Sequence, residues 1–175
     1  MRPVPLPAAD CWLHPDVEVR ASAIAGRGLF ATAPLAAGTV VSRLGGRLVD
    51  GAALRELFAR AARERRYVDT VSVGEDLHLV LPPRRPNGYG NHSCDPNLWW
   101  LDAYTLAARR DIAPGEEVTN DYAACTAVAD FAMACSCGSA LCRGTVTGAD
   151  WRLPELRERY GEHWIPLLRD RIQAA

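Results

Sequence analysis

Three cysteines, Cys135, Cys137 and Cys142, fall within eight residues in the string CSCGSALCRG. Thiolates two residues apart are poor disulfide partners, but a tight turn through Gly138 can aim both at one tetrahedral ion at about 2.3 Å. Zinc is the natural occupant, and a fourth ligand is then required. Cys94, Cys125, Cys11 and the histidines are the candidates. The bland alternative is a turn flanked by unrelated buried thiols. A redox pair fits less well, because C-x-C lacks the spacing and helix start of thioredoxin-type sites. Cys11 and Cys125 otherwise read as small hydrophobes.

Two other segments carry groups capable of chemistry. GYGNHSCDPN concentrates Asn91, Ser93, Asp95, Pro96 and Asn97, residues that bond their own backbone and make turns, with His92 among them. GEEVTNDY, at 115 to 122, reads as a turn followed by a strand that ends on Asp121 and Tyr122. A strand-end tyrosine is usually packing, and taken singly it stays so. GRGLFA, at 26 to 31, reads by itself as a tight turn after a strand.

The elements that must position these groups follow from periodicity. Residues 1 to 16 form an irregular arm punctuated by prolines, and Val17 to Asp50 alternates short β-type runs with Gly and Pro turns. Asp50 can cap a helix over about 52 to 66, in which Leu54, Leu57, Phe58 and Ala61 share one face. YVDTVSV and LHLVL then suggest a hairpin about Gly74-Glu75-Asp76, and NLWWLD with YTLAARRDI a further pair of strands. Leu153, Leu156 and Tyr160, then Trp164, Leu167, Leu168 and Ile172, suggest two short terminal helices, the second opening at Pro166. The expected fold is mainly β, with one inserted helix and a helical tail.

Composition narrows the function classes. The 175 residues hold 20 basic against 21 acidic side chains, a net charge of -1, so a binder that neutralises many phosphates is disfavoured. All 20 basic residues are Arg, so no reaction that needs a lysine of the protein's own can run here. With 28 alanines, this bias looks like that of a GC-rich genome. The proline-bearing N-terminus has no stretch suited to a signal peptide, and no segment reaches the length of a membrane span, so an unexported protein that uses no membrane is expected. Six cysteines then suit thiols or metal ligands better than disulfides.

GRGLFA, NHSCDPN, GEEVTNDY and C-x-C-x4-C-R-G, in that order, resemble the SET-domain protein lysine methyltransferases with their cysteine-rich post-SET segment. The resemblance covers about residues 17 to 146 and implies short curved sheets with a pseudoknot joining the second and third motifs. It implies S-adenosylmethionine held by Arg27, Gly28, Leu29, Asn91, His92 and Val146, with Tyr122 both touching the cofactor and serving as the catalytic tyrosine. It also selects Cys94 as the fourth zinc ligand beside Cys135, Cys137 and Cys142. The implied divisions are an arm over 1–16, a SET domain over 17–134, a zinc segment over 135–150 and a tail over 151–175.

The expected activity is methyl transfer to lysines of a protein or peptide by a small cytoplasmic, bacterial enzyme. A non-catalytic module that binds a peptide or partner is the alternative, and a purely structural zinc protein is a third. Two positions depart from the pattern. Asn120 stands in the substrate channel where relatives carry Phe or Tyr, leaving the number of methyl groups open. Gly88-Tyr89-Gly90 replaces an Arg-Phe-Ile/Leu lead-in. The tail, with Trp151, Tyr160 and Trp164, is expected to pack on the core, and the sequence leaves the target protein and oligomeric state undetermined.

Overall fold

The computed structural model describes residues 4–175, so the first three residues of the expected arm lie outside the described residues. The chain runs β1 (Trp12–Leu13), β2 (Val17–Ala21), β3 (Arg27–Ala31), β4 (Val40–Arg43), β5 (Arg47–Val49), α1 (Gly51–Arg63), β6 (Thr70–Gly74) and β7 (Leu77–Val80). It continues with β8 (Leu98–Trp100), β9 (Thr105–Ala108), β10 (Glu117–Val118), β11 (Ala132–Ala134), β12 (Thr145–Thr147), α2 (Pro154–Tyr160) and α3 (Pro166–Gln173). Every paired strand is antiparallel, in sheets ordered β1-β4-β9-β8, β10-β3-β2 and β5-β7-β6, with β11-β12 as a separate ribbon. This is the mainly β, small-sheet architecture that the sequence pattern predicts. Among the described residues no helix is long and apolar enough to cross a membrane.

GRGLFA is a strand, not the tight turn that its two glycines suggest. β3 is paired on both edges, by β2 and by β10, and the turn sits one step earlier, where Gly26 takes a φ of 47°. Backbone pairing on both sides outweighs the local turn preference of glycine. In α1, the Asp50 side chain accepts from Ala53 N–H at the N-terminus, and Leu54, Leu57 and Ala61 face inward. Phe58 shares that face in sequence but is 44% exposed, because it turns to the wall of a cleft.

One apolar core runs through all three larger sheets and includes Leu29, Val41, Trp100, Val118, Trp164 and Leu168. The tail packs on it as expected: Tyr160, Trp164, Ile165 and Leu168 are buried, and Ile165 N–H donates to the Ala124 carbonyl at 3.2 Å. At the other end, β1 adds to the four-stranded sheet opposite Ser42 and Arg43, and Tyr104 hydroxyl donates to the Pro5 carbonyl at 2.6 Å. The proline-punctuated segment is thus fastened to the body at two points.

Candidate active site and metal centre

Cys94, Cys135, Cys137 and Cys142 bring their sulfurs within 4.8 Å of one another. Of the open candidates for a fourth partner, the fold chooses Cys94; Cys11 lies instead against Gly45, and Cys125 is buried beside Tyr122. The Cys94 and Cys135 sulfurs are 3.7 Å apart. Tetrahedral zinc with bonds of about 2.3 Å places its ligand atoms about 3.8 Å apart, so the donor set fits that ion. Burial pushes the Cys135 thiol up to about 12. Cys137 is also partly buried, but hydrogen bonds from Cys94 N–H and from Ser139 outweigh that and bring it down to about 6. Four sulfurs at this spacing ionise together only around a cation.

Two backbone segments meet beside this cluster. His92 and Asn120 form a parallel bridge, Ser93 N–H donates to the Asn120 carbonyl at 3.1 Å, and Asn120 N–H to the Asn91 carbonyl at 3.2 Å. Leu98 N–H donates to the Thr119 carbonyl, while the buried Asn97 amide accepts from Thr119 N–H at 2.8 Å and donates to the Glu117 carbonyl at 2.8 Å. NHSCDPN and TNDY therefore run side by side although the 21 residues 98–118 of chain lie between them.

His92 joins the four-cysteine cluster to the tyrosine. Its Nδ1 accepts from the Tyr122 backbone N–H at 3.2 Å and its Nε2 lies 3.3 Å from the Cys94 sulfur. That network assigns the neutral ring with its proton on Nε2, donating to sulfur. Burial lowers its basicity, against the opposing pull of Asp121. Both ring nitrogens are engaged, so what His92 offers a ligand is its backbone.

Asn91 faces the other way. Its Nδ2 has the Glu117 carboxylate at 2.8 Å, the Arg27 carbonyl at 3.0 Å, Ser22 Oγ at 3.1 Å and the Ala25 carbonyl at 3.2 Å. A Cβ on Gly28 would sit 2.0 Å from Glu117 Oε1, so only glycine lets this close approach exist. The exposed Arg27 guanidinium lies over the Tyr89 ring at 5.0 Å. The Glu117 carboxylate and the Arg27 and Ala25 carbonyls thus gather oxygen acceptors around Asn91 and the Gly28 backbone, surroundings of a kind that favour amino groups and positive charge.

Tyr122 opens onto a cleft of about 450 Å³ that is also lined by Leu29, Asn120, Gly90, Trp100 and Val118. Its hydroxyl donates to the Gly90 carbonyl at 2.9 Å. Burial raises the phenol well above its ordinary range, so it stays protonated near neutral pH. Val146 is fully buried in β12, opposite Met133, and is not among the cleft's lining residues.

The SET domain family model matches residues 26–123, which contain most of the cleft wall, the joined segments and Tyr122. The chain belongs to the SET-domain family. Among its relatives are the histone-lysine N-methyltransferase trithorax of Drosophila virilis, 32% identical over 142 residues, which covers 73% of this chain and 4% of that protein. The histone-lysine N-methyltransferase ATX2 of Arabidopsis thaliana is 30% identical over 149 residues, 74% of this chain and 13% of that protein. The histone-lysine N-methyltransferase ash1 of Drosophila melanogaster is 28% identical over 152 residues, 81% of this chain and 7% of that protein. This SET domain therefore spans a small part of the length of the relatives it matches.

A buried ionic network behind Tyr122 escaped the sequence reading. Arg143, next to Cys142, donates two bonds of 2.8 Å to the Asp121 carboxylate and one of 3.0 Å to Asp150. Tyr160 hydroxyl from α2 donates to the same Asp121 at 2.7 Å, and Arg159 reaches the Cys94 carbonyl at 2.8 Å. The cysteine segment and the tail of this SET domain thus hold the residue that precedes Tyr122. The only signal in sequence is an arginine directly after Cys142, which also fits a solvated charge. Glu117 and Ser22, which hold Asn91, were likewise missed because their partners lie far along the chain.

Proposed function

We propose that this domain transfers methyl groups from S-adenosylmethionine to the side-chain amine of lysine in a protein substrate. What carries the reading is a protonated tyrosine, Tyr122, at a deep cleft in a SET domain whose relatives are named histone-lysine methyltransferases. S-adenosylmethionine, when bound, supplies an electrophilic methyl on a sulfonium. Arg27, Gly28, Leu29, Asn91 and the His92 backbone would hold it, with Val146 supporting from behind; the oxygen-rich surroundings of Asn91 fit its amino groups and positive charge. Zinc on Cys94, Cys135, Cys137 and Cys142 would brace the wall through His92.

A lysine amine must lose its proton to act as a nucleophile, and bringing a pKa of about 10.4 to near 7 amounts to roughly 4 to 5 kcal/mol. The apolar part of the wall, with Leu29, Trp100 and Val118, disfavours the ammonium, which pushes in the needed direction without a strong base. The Tyr122 hydroxyl, its proton committed to the Gly90 carbonyl, presents lone pairs that can accept from the amine and aim its nitrogen. Asn120, polar where an aromatic stands in relatives, leaves the channel able to hold a hydrogen bond to the amine or to a water.

The test is incubation of the zinc-loaded protein with methyl-labelled S-adenosylmethionine and core histones, read by mass spectrometry. Added mass in steps of one methyl on lysine is expected, reduced at least about 100-fold by Tyr122→Phe. No labelling of histones or of any protein in a cell extract, or full activity in Tyr122→Phe, overturns the reading.

A further inference from the structure

The same cleft holds a carboxylate that the chemistry above does not use. Asp69, on the stretch leading into β6, lines it together with Tyr67, Gly88, Asn120 and Tyr122. Among the described residues its side chain makes no hydrogen bond or ion pair, although eight arginine–carboxylate contacts are formed elsewhere. It lies close against Gly88: a Cβ there would fall 2.4 Å from Asp69 Oδ2, so the carboxylate sits over the backbone two residues from the carbonyl that receives the Tyr122 hydroxyl.

The charge of the cleft points the same way. The chain has 20 arginines, yet among the described residues none lines the cleft; its ionisable groups there are Tyr67, Asp69, His78, Tyr122, Cys125 and Asp130. An unpaired anion in a partly desolvated site is costly unless a cation is meant to arrive. Burial pushes Asp69 up to about 6, so at neutral pH it is ionised but poorly solvated. Phe58 and Tyr67, 44% and 85% exposed, add aromatic faces to the same cleft.

Resting on the lysine methyl-transfer reading, we infer that Asp69 is the residue that captures the ammonium of the acceptor lysine as it enters the cleft and so sets the preference for a cationic side chain. The pairing belongs to the encounter and not to the transfer step, since a carboxylate that stayed paired would keep the amine protonated. It is therefore a binding contact, and its loss shows in KM while kcat is largely kept.

Steady-state kinetics on core histones, comparing wild type, Asp69→Asn and Asp69→Glu, tests this, with S-adenosylmethionine affinity measured by calorimetry on each. Asp69→Asn is expected to raise KM at least about 10-fold with kcat within about threefold and cofactor affinity unchanged, and Asp69→Glu to recover part of the loss. A KM within twofold of wild type overturns the inference. So does an equal loss of cofactor affinity, which would make Asp69 a structural or cofactor-binding residue. A wild-type protein that methylates no lysine overturns the function itself, and is told apart because it leaves no wild-type rate to compare.

Discussion

Removing the Arg143 charge should destabilise the domain more than any other single change to an ion pair. Asp121 has a side chain 1% exposed and Arg143 one 13% exposed, and the pair is bidentate with both bonds at 2.8 Å. Arg143→Met keeps the length of the stem but leaves the Asp121 carboxylate buried without its cation, holding only Tyr160 hydroxyl and Ala123 N–H. Breaking a buried pair from one side costs about 3 to 5 kcal/mol. In a chain of this size that amounts to a fall in Tm of about 6 to 20 °C. The assay is thermal melting by circular dichroism with zinc present, for the single variant and for Arg143→Met with Asp121→Asn. The double variant should regain at least about 1 kcal/mol, because the amide removes the stranded charge. A single variant that melts within about 2 °C of wild type, or a double variant no better than the single, would refute the reasoning.

Three further outcomes follow. Gly28→Ala must displace Glu117 or Asn91, whose atoms would lie 2.0 and 3.1 Å from the new carbon; S-adenosylmethionine affinity by calorimetry should fall at least about 10-fold, and an unchanged affinity would show that this surface is not the cofactor's. Asp69→Asn should stabilise the fold near pH 7. An acid held up to about 6 disfavours the folded state increasingly as pH rises from about 4 to 6. After discounting for its partial exposure the gain is about 1 kcal/mol, shrinking to nothing near pH 4, and denaturant melts at the two pH values check it. Chelation should release one zinc per chain and lower Tm, yet leave a cooperative melt, since the apolar core also rests on Trp100, Trp164 and Leu168; complete unfolding on chelation would make the metal the main support of the fold.

What the sequence conveyed was the order of motifs and the local periodicity, and what it withheld was long-range. The helix about Leu54, Leu57 and Ala61 is legible because one face alone repeats, but periodicity does not distinguish a core from a cleft, and so Phe58 was expected inside. GRGLFA looks like a turn until β2 and β10 are seen on its two edges. Three of the four cysteines were visible as a cluster, whereas Cys94 joins them only because the NHSC and TND segments lie side by side. Arg143 and Asp121 read as ordinary charges, since nothing local says that both are buried. Asp69 carried no motif at all, and its interest comes entirely from the cleft around it.

The central claim, that an amine meets a methyl donor beside the Tyr122 hydroxyl, is tested most directly by a crystal structure of the zinc-loaded domain with S-adenosylhomocysteine and a lysine peptide cut from whichever histone it labels. The account predicts the lysine nitrogen within about 3.5 Å of the Tyr122 oxygen and in line with the cofactor sulfur. A lysine nitrogen lodged outside the cleft, or a cofactor bound away from Gly28 and Asn91, would contradict it.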